Sequence, residues 1–318
     1  MIGEPPTAAR PSSPLDPTAV AVMLTARSVP ALLQRLGVSA EDGEELLELL
    51  PQIAADAELL AAVTEIANLL RTEAGLDAEP APLGTHADRL NTLQERLRPG
   101  QGLLMIAAHL VSTDVVRSWH RARGLSDQQS WQVLSDLGQQ MRVHRLTFGE
   151  LGHHTLAWTA MNWTGRLFWL GRLQFDLHRS GDGHWRIGTH IPATGPLEPA
   201  GVEESFDAAG RFFPDHFPDL AERAEGADFG REFVCHSWLV NQELPEIVGP
   251  GSNLGSFAAR WNIEKTFPAS DDAVFFVFNR RPPYDPDQLP RRSRLQRAII
   301  ERLRNGRGWQ GGKGRLRR

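Results

Sequence analysis

A single cysteine, Cys235, serves all 318 residues, so the chain can form no internal disulfide and no cysteine-rich metal site. No stretch approaches the roughly 18 consecutive apolar residues of a membrane span. The start, MIGEPPTAARPSSPLDP, has no charged segment leading into an apolar run of the secretory kind. A cytoplasmic protein with no membrane partner is the expectation. Also missing are the glycine-rich dinucleotide and phosphate loops, the His-Glu-x-x-His zinc motif, the calcium-binding loop and the nucleophile elbow. The common nucleotide, zinc-protease and hydrolase templates are thereby disfavoured. His153 and His154, with His144 and Glu150 nearby, do not replace them. Adjacent histidines on a helix point about 100° apart and chelate poorly, so no metal is expected.

The net charge of −5 is unevenly spread. Between Arg291 and Arg318 stand eleven Lys or Arg and one acidic residue, which leaves about −15 on the rest. The closing GGKGRLRR reads as a flexible basic tail over 306–318. Such a tail can touch nucleic acid. A solvated helix face and a frayed terminus is the simpler reading, and no nucleic-acid partner is expected.

Proline and serine crowd residues 1–17, which are expected to be disordered. From 18 to 163 the periodicity is helical: AELLAAVTEIANLLR sets Leu59, Val63, Ile66 and Leu70 on one face, and Ser39 is placed to cap the helix after it. The texture changes at 164. RLFWLGRLQFDLHRSGDGHWRIGTHIP predicts a β-hairpin about the Ser180–Gly183 turn. Pairing Leu177 with Trp185, Phe175 with Ile187 and Leu173 with Thr189 makes one face apolar. The other face then pairs Asp176 with Arg186, Gln174 with Gly188 and Arg172 with His190. There follow a helix with Val202, Phe206, Ala209 and Phe213 on one stripe, a strand EFVCHSWLV, and a helix capped by Ser252. A strand AVFFVF and a helix opened by a Ser293/Gln296 capping box complete the order. The fold class is α+β: an all-helical N-terminal domain over 18–163, then a mixed α/β domain over 164–305.

Strand alternation sorts the reactive residues of FVCHSWLV. Cys235 and Ser237 point one way and His236 the other, so Cys235 and His236 cannot form a dyad. A thiol mechanism through Cys235 would need a base from another strand, such as His190. His190 ends its strand just before Pro192, where ladder pairing stops. Arg172 alongside would favour the neutral imidazole that a general base requires. The helix starting near Pro199 offers free N–H groups to an anion such as a phosphate.

LGRLQFDL, HIP before a helix ending in FF, CHSWLV, LPEIVGPGSNLGSF and LQRAI occur in this order. Together they resemble the GNAT-like C-terminal domain of bacterial acyltransferase-domain proteins, and the helical half looks like the domain that accompanies it. The resemblance implies a sheet in which two neighbouring strands splay into a V that admits acetyl-CoA or another acyl-CoA. WRIGTHIP would be one wall, ATGPLEP the pyrophosphate loop and FVCHSWLV the other wall. Thr189, Ile191, Ala193, Thr194 and Gly195 would then meet the cofactor. Arg172, Gln174 and Cys235 would line the substrate, and His190, His236 and Ser237 are the catalytic candidates. The implied activity is N-acyl transfer to a small-molecule or peptide amine by direct attack with a general base. PATGPLEPAG departs from the Q/R-x-x-G-x-G/A pattern of such loops, and a non-catalytic ligand- or partner-binding module is the alternative.

Overall fold

A computed structural model of the chain describes residues 13–76, 83–181, 183–223 and 229–318. Residues 1–12 of the stretch expected to be disordered, most of AEPAPLG and Asp182 of the hairpin turn lie outside them. Residues 13–17 correct that expectation. Leu15 exchanges two backbone hydrogen bonds with the Asn68 amide, and Asp16 caps the helix that Pro17 opens.

The chain divides after Phe168 into two compact units. The first is helical: α1 (Pro17–Leu24), α2 (Val29–Arg35), α3 (Ala40–Ala55), α4 (Ala57–Glu73), α5 (Ala87–Gln94), α6 (Leu103–Ala122), α7 (Asp127–Leu134), α8 (Asp136–Phe148) and α9 (Leu156–Trp163). Ser39 caps α3 as its position suggests. Helix α6 is apolar around most of its girth and is buried along nearly its whole length, as such a helix must be. Two of its buried polar side chains turn back on its own backbone: Ser112 Oγ donates to the Ala108 carbonyl at 2.7 Å and Thr113 Oγ1 to the His109 carbonyl at 2.8 Å.

Strand β1 (Leu167–Leu170) leads into β2 (Leu173–Arg179), β3 (Trp185–His190), α10 (Pro199–His216), α11 (Pro218–Arg223) and β4 (Glu232–Ser237). After these come α12 (Leu244–Val248), α13 (Asn253–Ala258), β5 (Asn262–Pro268), α14 (Ser270–Phe278), α15 (Arg294–Arg304) and β6 (Gln310–Arg317). The six strands form one mixed sheet in the order β1-β2-β3-β4-β6-β5. Helix α10 lays the expected stripe of Val202, Phe206, Ala209 and Phe213 on one sheet face. There Phe206 meets Phe175 and Phe233 at ring separations of 5.7 and 5.0 Å.

Three expectations give way. AVFFVF is helical: Asp271 and Asp272 occupy the first turn of α14, and Asn279 ends it in the left-handed region at φ 52°. A short apolar run has no period of its own, so these end signals decide it. GGKGRLRR is no tail but strand β6, hydrogen-bonded between β4 and β5. Its glycines exist for clearance: a Cβ at Gly311 would stand 2.8 Å from the Phe267 ring, at Gly312 2.5 Å from the Val240 carbonyl, and at Gly314 2.7 Å from Trp261. The hairpin register is two residues from the expected one, with Leu177 opposite Ile187, Phe175 opposite Thr189 and Gln174 opposite His190. The Arg179 guanidinium sits 5.1 Å from the centre of the Trp185 ring, an end pairing that an apolar match of Leu177 to Trp185 would forfeit. A shift of two keeps every residue on its face.

Candidate functional site

Strands β3 and β4 run parallel but share only two rungs, Ile187 with Phe233 and Gly188 with Val234. Both continue past that point, β3 to His190 and β4 to Ser237. The sheet therefore opens into a V between Thr189–His190 and Cys235–Ser237, and β3 runs from the V into the loop ahead of α10.

That loop is held by Arg172, which stands just before β2. Its guanidinium donates to the carbonyls of Pro196 (2.8 Å), Pro192 (3.2 Å) and Gly195 (2.7 Å), while its backbone N–H donates to Ser205 Oγ of α10 at 2.7 Å. Arg172 is thus a brace for the loop and not the neighbour of His190. Ala193, Thr194 and Gly195 form the exposed tip, with Gly195 at φ 84°. Glu198 caps α10 without a side-chain hydrogen bond, and Pro199 occupies its first turn. Residues 200 and 201 carry N–H groups that the helix cannot pair internally.

Facing the V from β3, His190 places Nε2 2.5 Å from Oδ1 of Asp176 on β2. Oδ2 of the same carboxylate lies 2.8 Å from Nδ1 of His178, so one carboxylate joins two imidazoles. Burial alone would raise the Asp176 pKa. The hydrogen bonds from His178 and His190 outweigh it and hold this carboxyl below its ordinary value. Space for the cluster comes from Gly188, directly opposite Asp176, where a Cβ would stand 1.8 Å from Oδ1. Sequence reasoning missed Asp176, His178 and Gly188. The signal was the alternation of Gln174, Asp176 and His178 on one strand face, which the wrong register set against Arg186.

Two buried polar atoms beside the V have no hydrogen-bond partner among the described residues: Nε2 of Gln174 and Oγ1 of Thr189. A donor or hydroxyl left so costs stability unless a ligand satisfies it.

The trio on β4 separates as alternation requires. Cys235 is 1% exposed on the α10 face, and burial pushes its thiol far above the ordinary range, so it is no nucleophile. His236 is exposed on the opposite face, its ring 4.0 Å from that of Phe267. Ser237 Oγ accepts from the Leu239 N–H at 3.2 Å and starts the turn that ends β4, three residues earlier than EFVCHSWLV suggests. Ile191, half-buried, lies between His190 and the loop. Among the described residues no group of three or more His, Cys, Asp or Glu is placed to hold a metal ion, and no helix is long and apolar enough to cross a membrane.

Residues 27–165 match the N-acyltransferase N-terminal domain, and residues 167–316 match the GNAT-like C-terminal domain. No protein of curated function matches the chain. Among solved structures, an acyltransferase in complex with decanoyl-CoA and teicoplanin is 27% identical, with a TM-score of 0.78 over 95% of this chain and 99% of that one. A mutant acyltransferase in complex with octanoyl-CoA is 28% identical, with a TM-score of 0.74 over 92% and 88%. An acyltransferase in complex with CoA and 10C-teicoplanin is 26% identical, with a TM-score of 0.74 over 95% and 99%. The strand order, the V and both domain matches agree: the chain belongs to the acyltransferases that join an N-acyltransferase N-terminal domain to a GNAT-like C-terminal domain.

Proposed function

We propose that the protein transfers a medium-length acyl group from acyl-CoA to an amine of a small-molecule or peptide acceptor. The parting of β3 from β4 after two rungs carries this reading, because it leaves a slot in the sheet for a pantetheine arm. The solved relatives hold decanoyl- and octanoyl-CoA, which supports the donor class, and one of them also holds teicoplanin, which supports an elaborate acceptor. The loop lacks the usual glycine pattern. It is nevertheless fixed by Arg172 beside free N–H groups at the start of α10, and these suit the pyrophosphate.

In this reading His190 is the general base. Asp176 holds Nε2 at 2.5 Å and so orients the ring. As the acceptor nitrogen attacks the thioester carbon, the imidazole takes its proton and the buried carboxylate stabilises the imidazolium formed. The C–N bond forms, the C–S bond breaks, and the proton passes from His190 to the departing CoA thiolate. Backbone N–H groups of β3 at the V are suited to the oxyanion, and the unpartnered Thr189 Oγ1 and Gln174 Nε2 would take polar atoms of the ligands. The direct route is favoured over a covalent one because Cys235 is buried and protonated.

Isothermal titration with octanoyl-CoA tests the first step. Saturable micromolar binding, with a rise in melting temperature, is expected. Absence of both at millimolar ligand would leave only a non-catalytic module.

A further inference from the structure

The chain has 32 arginines and only two lysines, Lys265 and Lys313. The fold sets these two directly opposite each other as Cα partners on β5 and β6. Facing like charges, about 5 Å apart at their Cβ atoms, destabilise a strand pair. Both ammonium groups are exposed, and neither has a carboxylate partner among the described residues. The neighbouring charges on the same sheet are paired instead. Arg186 donates to Glu232 at 2.6 Å, and Arg315 bonds Glu232 at 3.0 Å and Glu264 at 2.8 Å. Acids are thus available nearby yet withheld from the lysine pair.

The register extends the observation. Lys313 is also the partner of His236 on β4. His236, Lys313 and Lys265 therefore form one lateral row on the sheet face opposite α10. That row ends at the V, with His190 on the far wall on the same face. Lysine suits the purpose where arginine prevails elsewhere, since its compact ammonium turns to meet an oxyanion from several directions.

Resting on the transferase reading above, we infer that Lys265 and Lys313 form the acceptor's anion site and hold a carboxylate of an acidic, peptide-sized amine. The phosphates of CoA belong on the other side, because the loop braced by Arg172 leads into α10, which covers the opposite face. Two strand spacings, roughly 10 Å, separate β4 at the V from Lys265. An acceptor whose amine and carboxylate lie a peptide's length apart would span that distance.

Trialanine and trialanine amide are the probes. Calorimetry on the full chain with CoA bound needs no turnover: trialanine should bind about tenfold more tightly than its amide, and equal binding overturns the inference whether or not acyl transfer occurs. Lys265→Glu and Lys313→Glu should each abolish that preference, with Lys265→Gln and Lys313→Gln intermediate. If trialanine is acylated, the change should appear in its KM and not in that of octanoyl-CoA. A loss of octanoyl-CoA binding instead would assign the row to a CoA phosphate and overturn the inference. Failure of octanoyl-CoA to bind the unaltered protein would strike the transferase reading, while the acid-to-amide ratio, measured then on the protein without CoA, would still decide the anion site.

Discussion

Nε2 of His190 and Oδ1 of Asp176 meet at 2.5 Å across the β2–β3 pair, at the strand end where the sheet opens. If His190 takes the acceptor proton, His190→Ala should lower kcat about a hundredfold to ten-thousandfold. Asp176→Asn should lower kcat by a similar order while octanoyl-CoA still binds. Steady-state kinetics beside calorimetry separates the two effects, and a fully active His190→Ala protein would remove the base from His190.

Gly188→Ala should act like a substitution at Asp176 without touching a titratable group. The new Cβ would overlap Oδ1 and force the carboxylate away from both histidines. Overpacking of this kind costs about 1–3 kcal/mol of stability, measurable by urea unfolding. The kcat of the folded fraction should fall toward that of Asp176→Asn.

Arg172→Ala removes three hydrogen bonds to the carbonyls of the loop before α10. A looser loop should raise the KM for octanoyl-CoA about tenfold, equivalent to roughly 1.4 kcal/mol, with kcat little changed. Arg172→Lys should not rescue, because an ammonium cannot span three carbonyls as a planar fork does. A fall in kcat with unchanged KM would show that Arg172 acts on the reaction and not on the loop.

Acid should destabilise the helical unit well before it reaches Asp176. Burial lowers His109 to about 4; burial, with Arg117 nearby, lowers His120 to about 3; burial, with Arg145 and Arg98, lowers His144 to about 4. Each is neutral when folded and charges near 6.5 when unfolded, so the unfolded chain binds more protons below 6.5. Their contribution is whole above pH 6.5 and is lost as pH falls toward 4. Asp176 has the opposite origin, a depressed carboxylate, and its contribution is present above 3.8 and lost only below it. Melting temperature should therefore decline from pH 6.5 to 4, and His120→Gln should flatten the slope. A flat profile in the unaltered protein would contradict the burial of these rings.

Much of this was legible from alternation and end signals, and the failures have a common cause. Faces were readable: Phe175, Phe233 and Cys235 turn to α10, and His236 turns away. Alternation cannot tell a shift of two residues, so Asp176 was matched to Arg186 and its bond to His190 stayed hidden. The closing glycines looked like slack because glycine serves both flexibility and close approach. Only the positions of Phe267, Val240 and Trp261, fixed elsewhere in the chain, show which applies. The lone strand β5 had no apolar alternation to announce it, since as an edge strand it exposes most of its residues.

Among the described residues, only two backbone rungs pair β1-β2-β3 with β4-β6-β5, with the Arg186–Glu232 side-chain bond beside them. Mechanically the sheet is two plates sharing a short hinge at Gly188 and Val234, and a ligand in the V would act as the missing lattice between them. Its binding should register far from the site, as slower amide exchange along β6 and β2 together, because stiffness restored at the hinge is shared by both plates.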